Sequence, residues 1–221
     1  MTDTELFLDS SAQPAIRGYL HRPENANGNG LVLSHGAGSN ARAPLLIALA
    51  EAFCAAGFAV LRCDLPYRQV RSSGPPGPGD AARDRGGLKN AVAALSMHAA
   101  IRRMFLGGHS YGGRQSTMLC AEEPNLVDGL VLLSYPLHPP RKPEQLRTQH
   151  LPNLRTPSLF VEGTRDPFGS IEELEAAIRL IPAKTRLVKV DGAGHDLGFQ
   201  GKMGGEVLTK EVVNAFSDFF G

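Results

Sequence analysis

Residues 106–113 read LGGHSYGG, with Ser110 set two positions from a glycine on either side. A serine hydroxyl is a weak nucleophile until a base takes its proton, and histidine titrates where that transfer is possible near neutrality. The histidine in turn needs a carboxylate to fix its tautomer and to stabilise the imidazolium. Both partners occur further along the chain. TRDPFG (164–169) carries Asp166, and DGAGHDLGF (191–199) carries His195. The order Ser110, Asp166, His195 is the order expected when a G-x-S-x-G turn joins a strand to a helix in a parallel sheet. The flanking glycines permit a strained turn that pushes the serine out. The backbone N–H of Tyr111, first in the following helix, then faces a developing oxyanion. The second donor is expected from HGAGSN (35–40), as the N–H of Ala37.

Each residue has a plainer alternative. Serine beside glycine is common in turns, and Asp-Pro opens many turns, so Asp166 alone reads equally as a turn residue. His195 alone reads as a loop histidine, and HGAG as a tight turn in which His35 bonds within the loop. Asp196 adjoins His195, but neighbouring side chains rarely meet in the geometry a base and its acid require. Asp64 follows a strand that precedes the nucleophile and reads as a loop organiser at the rim. His109 is expected to point into the protein, and Asp191 and His138 to be loop or surface residues.

The elements that must position these residues alternate along the chain. LFL (6–8) and AIRGYLH (15–21) read as short strands, an edge hairpin. LVLS (31–34), FAVLRCD (58–64), RMFLGG (103–108), LVDGLVLLSYP (126–136), TPSLFVEG (156–163) and TRLVKV (185–190) read as further strands. APLLIALAEAFCAAG has helical spacing, with Pro44 near its start and Gly57 past its end. Further helices are expected over much of 81–100, weakened or delayed by Gly86 and Gly87, over 111–122, in SIEELEAAIRLI, and in the closing GEVLTKEVVNAFSDFF. RSSGPPGPGD (71–80) is a loop. Strands separated by helices imply a mostly parallel sheet covered on both faces. In such sheets chemistry gathers at the carboxyl ends of the strands. HGAGSN, DLPYR, GHSYGG, TRDPFG and DGAGHDLGF all fall there.

Composition excludes several other classes. At 221 residues the chain suits one domain, 1–221, with no repeat or linker. A net charge of +1 gives no reason to expect nucleic acid or an anionic membrane as partner. No segment has the length and apolarity of a signal peptide or a membrane span, so the expected location is the cytoplasm. Cys54, Cys63 and Cys120 are an odd number in apolar surroundings and read as buried free thiols. There is no phosphate-binding glycine loop and no metal-ligand spacing, so no cofactor is expected. Nothing in the pattern specifies an oligomeric state. Basic residues are in excess in 62–85 and in 141–155, which includes Arg147. A solvated surface is the simple reading of that excess, and an anionic or polar ester the functional one.

Taken together, HGAGSN, GHSYGG, TRDPFG and GAGHDL resemble the α/β-hydrolase superfamily over residues from about 15 to 220. More narrowly, the chain resembles small cap-less members near the dienelactone hydrolases. Within these it is similar to a group containing the hydrolase-like domain of a regulatory subunit of a chromatin acetyltransferase complex, whose loop DLPYR and the Pro/Gly-rich segment match. The resemblance implies an eight-stranded, mostly parallel sheet, helices on both faces, and Ser110, Asp166 and His195 as the triad. The chain departs from dienelactone hydrolases in carrying serine where they carry a nucleophilic cysteine. Only 137–155 separate two successive strands, which leaves no room for a cap. The expected function is hydrolysis of a small or polar carboxylic ester, rather than a thioester or amide, through an acyl-enzyme. The alternative is a non-catalytic interaction scaffold on the same fold.

Overall fold

The computed structural model describes residues 3–98, 100–199 and 205–221. Its centre is one eight-stranded sheet. The strands are β1 (Asp3–Asp9), β2 (Ile16–Arg22), β3 (Asn29–Ser34), β4 (Ala59–Cys63), β5 (Arg103–His109), β6 (Gly129–Leu133), β7 (Ser158–Gly163) and β8 (Thr185–Val190). Their spatial order is β1-β2-β4-β3-β5-β6-β7-β8. β1 and β2 form the expected antiparallel edge, and β2 pairs antiparallel with β4. From β4 to β8 every pairing is parallel. The central strands β3 to β7 are almost wholly buried, which explains why they read as unbroken apolar runs.

Helices cover both faces. α1 (Pro44–Ala55) and α6 (Gly205–Phe220) pack on one side, and α3 (Asp80–His98), α4 (Tyr111–Glu122) and α5 (Ile171–Ile178) on the other. The first face is cemented by aromatic rings. Phe105 of β5 meets Phe216 of α6 edge-to-face, with centroids 4.7 Å apart, and Phe53 of α1 meets the same Phe216 at 5.2 Å. α5 opens with a capping box in which Ser170 and Glu173 satisfy each other's backbone N–H groups.

Two features depart from the pattern read in the sequence. α3 begins at Asp80 and runs through Gly86 and Gly87 without delay. Its companion is a short helix, α2 (Pro66–Val70), inside what reads as a loop. The two findings have one cause. A Cβ on Gly87 would lie 2.5 Å from Pro66 Cγ, so the glycine lets α3 pass close under α2. The helix-propensity loss at such a glycine, about 1 kcal/mol, is offset by that contact. The segment between β6 and β7 holds only a 3-10 turn at Leu151–Asn153, so no helical lid forms there. Among the described residues no helix is long and apolar enough to cross a membrane.

Candidate active site

β5 ends at His109 and α4 begins at Tyr111, so Ser110 alone makes the turn. Its φ of 50° and ψ of −115° are costly for a residue with a Cβ, on the order of 1–3 kcal/mol. Neighbouring contacts hold it there. The Ser110 N–H donates to the Leu133 carbonyl at 2.8 Å, and the Arg114 N–H donates to the Ser110 carbonyl at 3.0 Å. The glycines on either side serve packing. A Cβ on Gly108 would lie 2.4 Å from Ser34 Oγ, and one on Gly112 would lie 2.5 Å from the same atom. Without side chains at both, α4 sits directly on β3 and β5, and the serine projects from the corner.

The loops after β7 and β8 bring the other two residues to it. His195 Nε2 lies 2.8 Å from Ser110 Oγ, and His195 Nδ1 lies 2.7 Å from Asp166 Oδ2. The Asp166 side chain is wholly buried, whereas that of His195 is 24% exposed, so the imidazole opens to the cleft and the carboxyl does not. Asp166 Oδ1 accepts the Phe168 N–H at 2.8 Å, and the Phe168 ring packs on the imidazole with centroids 4.2 Å apart. Burial pushes the Asp166 carboxyl up, but the hydrogen bond and charge of His195, joined by the Phe168 N–H, hold it below the usual carboxylate range.

Beneath Asp166 lies a second carboxyl group. Glu162, in β7, is 1% exposed, and its Oε2 accepts the Tyr135 N–H at 2.7 Å. Burial first, and then the adjacent Asp166, push Glu162 far above the usual range. Its Oε1 has no donor facing it. Two ionised carboxylates cannot hydrogen-bond, so the bond that raises Glu162 and lowers Asp166 needs a proton on Glu162. The pair therefore shares one negative charge, carried by Asp166.

His109 does not simply point inward. It borders the cleft, and its Nε2 lies 2.7 Å from the His195 carbonyl oxygen. A carbonyl only accepts, so Nε2 carries the proton and His109 ties the loop of His195 to the end of β5. Burial keeps this ring below the ordinary histidine pKa.

The HGAG loop is clamped from below. The Tyr67 hydroxyl donates to the Ala37 carbonyl at 2.8 Å, and Arg68 donates to the carbonyls of Ala37, Ser39, Arg71 and Gly74. Asp84, with no exposed surface, accepts the Tyr67 N–H at 3.0 Å and the Tyr111 hydroxyl at 2.8 Å. One buried carboxyl thus links the residue that holds Ala37 to Tyr111. His35 is structural as expected: Nδ1 meets the Gly36 carbonyl at 2.8 Å, and Nε2 accepts the Leu65 N–H at 3.1 Å.

Above Ser110 opens a cleft of about 570 Å³. Pro75 and Pro76 of the Pro/Gly-rich loop border it on one side and Pro136 and Arg147 of the β6–β7 segment on another. Among the described residues no group of three His, Cys, Asp or Glu side chains is gathered to hold a metal ion.

The family model described as "Alpha/beta hydrolase domain" matches residues 27–220. The chain belongs to the alpha/beta-hydrolase family. Solved structures agree on the fold of this hydrolase at low sequence identity. A dienelactone hydrolase from Anabaena variabilis is 22% identical, with a TM-score of 0.76, over 100% of this chain and 99% of its own. An alpha-beta serine hydrolase homologue from Coxiella burnetii is 20% identical, with a TM-score of 0.76, covering 97% and 98%. A serine hydrolase described as lacking a lid, from Xanthomonas campestris, is 12% identical, with a TM-score of 0.73, covering 99% and 95%. One curated protein, the polyketide synthase ThaQ of Burkholderia thailandensis, is 48% identical over 48 residues, which span 22% of this chain and 2% of its own length.

The remaining candidates of this alpha/beta hydrolase sort by position. Asp64 organises the rim, its Oδ1 accepting the Ala41 N–H at 2.7 Å and its Oδ2 the Arg17 side chain at 2.9 Å. Asp196 is exposed and accepts the N–H of Gly198 at 3.0 Å, away from the imidazole. His138 lies in a loop but is buried, 3.4 Å from Glu173, while Asp191 is exposed. Cys54, Cys63 and Cys120 are buried free thiols. Glu162, Tyr67, Asp84 and Phe168 escape a reading by motif. Two carry a weak signal, since an acid in an otherwise apolar strand (SLFVEG) or beside a double glycine in a helix calls for a buried partner.

Proposed function

We propose that this hydrolase cleaves a carboxylic ester through an acyl-enzyme, with Ser110 as nucleophile, His195 as general base and acid, and Asp166 as the orienting carboxylate. Ser110 Oγ attacks the ester carbonyl carbon while its proton passes to His195 Nε2. Asp166 stabilises the imidazolium through Nδ1. The carbonyl electron pair moves onto oxygen, where the amides of Ala37 and Tyr111 receive it. Collapse expels the alcohol, which takes the proton from Nε2. Water then attacks the acyl carbon, giving a proton to Nε2. The second collapse returns that proton to Ser110 Oγ and frees the acid.

The observation that carries this reading is the contact chain Ser110 Oγ to His195 Nε2 at 2.8 Å and His195 Nδ1 to Asp166 Oδ2 at 2.7 Å, anchored on a strained serine at the floor of an open cleft. A scaffold has no use for that strain, nor for a base and acid delivered from two further loops. An ester suits the site better than an amide, because an alkoxide leaves with less help from the single proton donor, His195.

Labelling with a fluorophosphonate probe, followed by p-nitrophenyl esters of increasing acyl length, tests the reading. Ser110→Ala is expected to abolish labelling and turnover while the melting temperature changes little, since one hydroxyl is removed. Labelling that persists in the variant moves the nucleophile elsewhere, and a wild-type protein that never labels favours the scaffold.

A further inference from the structure

Among the described residues, the arginines that are not exposed are otherwise well partnered. Arg17 pairs with Asp64, Arg22 with Glu5 and Arg85 with Glu122, and Arg62 donates to His21 and Ala41. The buried Arg68 is saturated by backbone carbonyls. Two half-buried arginines break the rule, and both border the cleft over Ser110: Arg114, in the first turn of α4, and Arg147, in the β6–β7 segment. Among the described residues neither forms an ion pair. The Arg114 Nε–H is buried with no acceptor, and the Arg147 guanidinium makes one long bond, 3.3 Å, to the Pro136 carbonyl.

The two charges also act on each other. Burial first, and then Arg114, lower the pKa of Arg147, and burial, followed by Arg114 and Arg85, lowers His150 to about 4. Water can solvate two half-buried guanidiniums, but it does not cancel the repulsion between them. An anion between them does both, and a planar carboxylate matches the donor fork of a guanidinium. Local conflict of this kind is tolerated where a ligand resolves it.

We propose that Arg114 and Arg147 form a subsite for a carboxylate on the substrate, so that the ester cleaved at Ser110 is anionic. This rests on the ester-hydrolase reading above. Both arginines line the same cleft as Ser110, so one ligand can reach the pair and the nucleophile together. The walls contributed by Pro75, Pro76, Pro136 and Phe168 offer the short chain between them an apolar surface.

The test compares matched pairs of esters: p-nitrophenyl hemiglutarate against p-nitrophenyl pentanoate for an acyl carboxylate, and 4-carboxyphenyl against phenyl butyrate for an alcohol one. One pair is expected to show a kcat/KM at least about 10-fold higher for the anionic member, since hydrogen bonds to charged groups are the strong ones. In Arg147→Gln and Arg114→Gln the anionic-to-neutral ratio should fall by about 10- to 100-fold. High salt should lower it too. The Ser110→Ala protein, which needs no turnover, should bind monomethyl glutarate more tightly than methyl pentanoate by calorimetry. Equal rates within both pairs, with equal binding, overturn the subsite even when the probe labels Ser110. Failure of labelling removes the ester reading, and the calorimetry still decides whether the arginines hold a carboxylate. A preference for a sulfonate ester over the carboxylate of equal length overturns the carboxylate assignment.

Discussion

His109 Nε2 donates to the main-chain carbonyl of His195 at 2.7 Å, so the residue beside the proposed nucleophile carries the backbone of the proposed base. The distance from Ser110 Oγ to His195 Nε2 therefore depends on a third side chain as well as on the two loops. Gly36 leaves the room for it, because a Cβ there would lie 2.9 Å from His109 Nδ1.

His109→Phe keeps most of the packing and loses that hydrogen bond. A bond of this kind contributes about 1 kcal/mol. The expected outcome is a kcat lower by about 5- to 10-fold, with KM little changed, because the base is displaced and the cleft is not. Steady-state kinetics on one p-nitrophenyl ester check this. A change confined to KM contradicts it.

Asp166→Asn keeps the shape of the acid and removes its charge. It also lets the amide favour the wrong tautomer of His195. The comparable change in a serine-protease triad costs about 10⁴-fold in turnover, and a loss of that order is expected here. Asp196→Asn, at an exposed position, is expected to cost less than about 2-fold, in keeping with surface substitutions generally. Measuring both by kcat/KM assigns the acid, and reversed losses reassign it to Asp196.

Glu162 supplies a prediction with a defined pH sense. Its folded pKa is raised, so the native state holds a proton that the unfolded chain releases above about 4.5. Its contribution is therefore complete below pH 4.5 and is lost as pH rises towards the folded value. Glu162→Gln replaces the O–H donor to Asp166 with an N–H donor and has no proton to lose. The variant is expected to gain stability relative to wild type as pH rises from 5 to 9, by urea midpoint, and to retain most activity. Glu162→Ala leaves the Tyr135 N–H and Asp166 without this partner and is expected to be clearly less active. A constant stability difference across that pH range rules out a protonated Glu162.

Three buried histidines predict the acid limb. His21 Nε2 accepts from Arg62 at 2.7 Å, His35 Nε2 from the Leu65 N–H at 3.1 Å, and His150 Nε2 lies 2.8 Å from Thr117 Oγ1. Burial lowers all three to about 4, so each is neutral in the fold and takes up a proton on unfolding below 6.5. Stability should be fully present above pH 6.5 and fall between 6.5 and 4, with at most about 3 kcal/mol of the loss from His35. Urea midpoints taken at intervals from pH 7 to 4 read the slope directly. A flat profile contradicts it.

The residues proposed for the triad and the strands of the mostly parallel sheet were legible because each rests on local pattern: an apolar run, a glycine-bounded turn, a reactive residue at a strand end. The loop proposed to carry an oxyanion donor was legible as HGAG, although what holds it was not. Tyr67, Arg68 and Asp84 act across two helices, α2 and α3. The first of these is only five residues long and was hidden inside a Pro-led segment. Gly86 and Gly87 misled for the same reason, since the close pass of α3 under Pro66 is a tertiary fact that local propensity does not contain. Glu162 and Arg114 lie within regular elements, where a charged residue reveals its role only once its neighbours are known.

Among the described residues no helix lies over the cleft, which bears on the fate of the proposed acyl-enzyme. Between β6 and β7 there is one 3-10 turn and no closing helix, so an acyl group on Ser110 is expected to stay within reach of solvent. The acceptor that resolves it is then chosen by concentration and intrinsic reactivity, with no gate to discriminate. Water prevails in dilute buffer. Adding methanol should divert a growing share of acyl groups to the methyl ester, in proportion to the alcohol present and without a threshold. On that reading, the split between hydrolysis and transfer of the acyl group follows the acceptors around the protein.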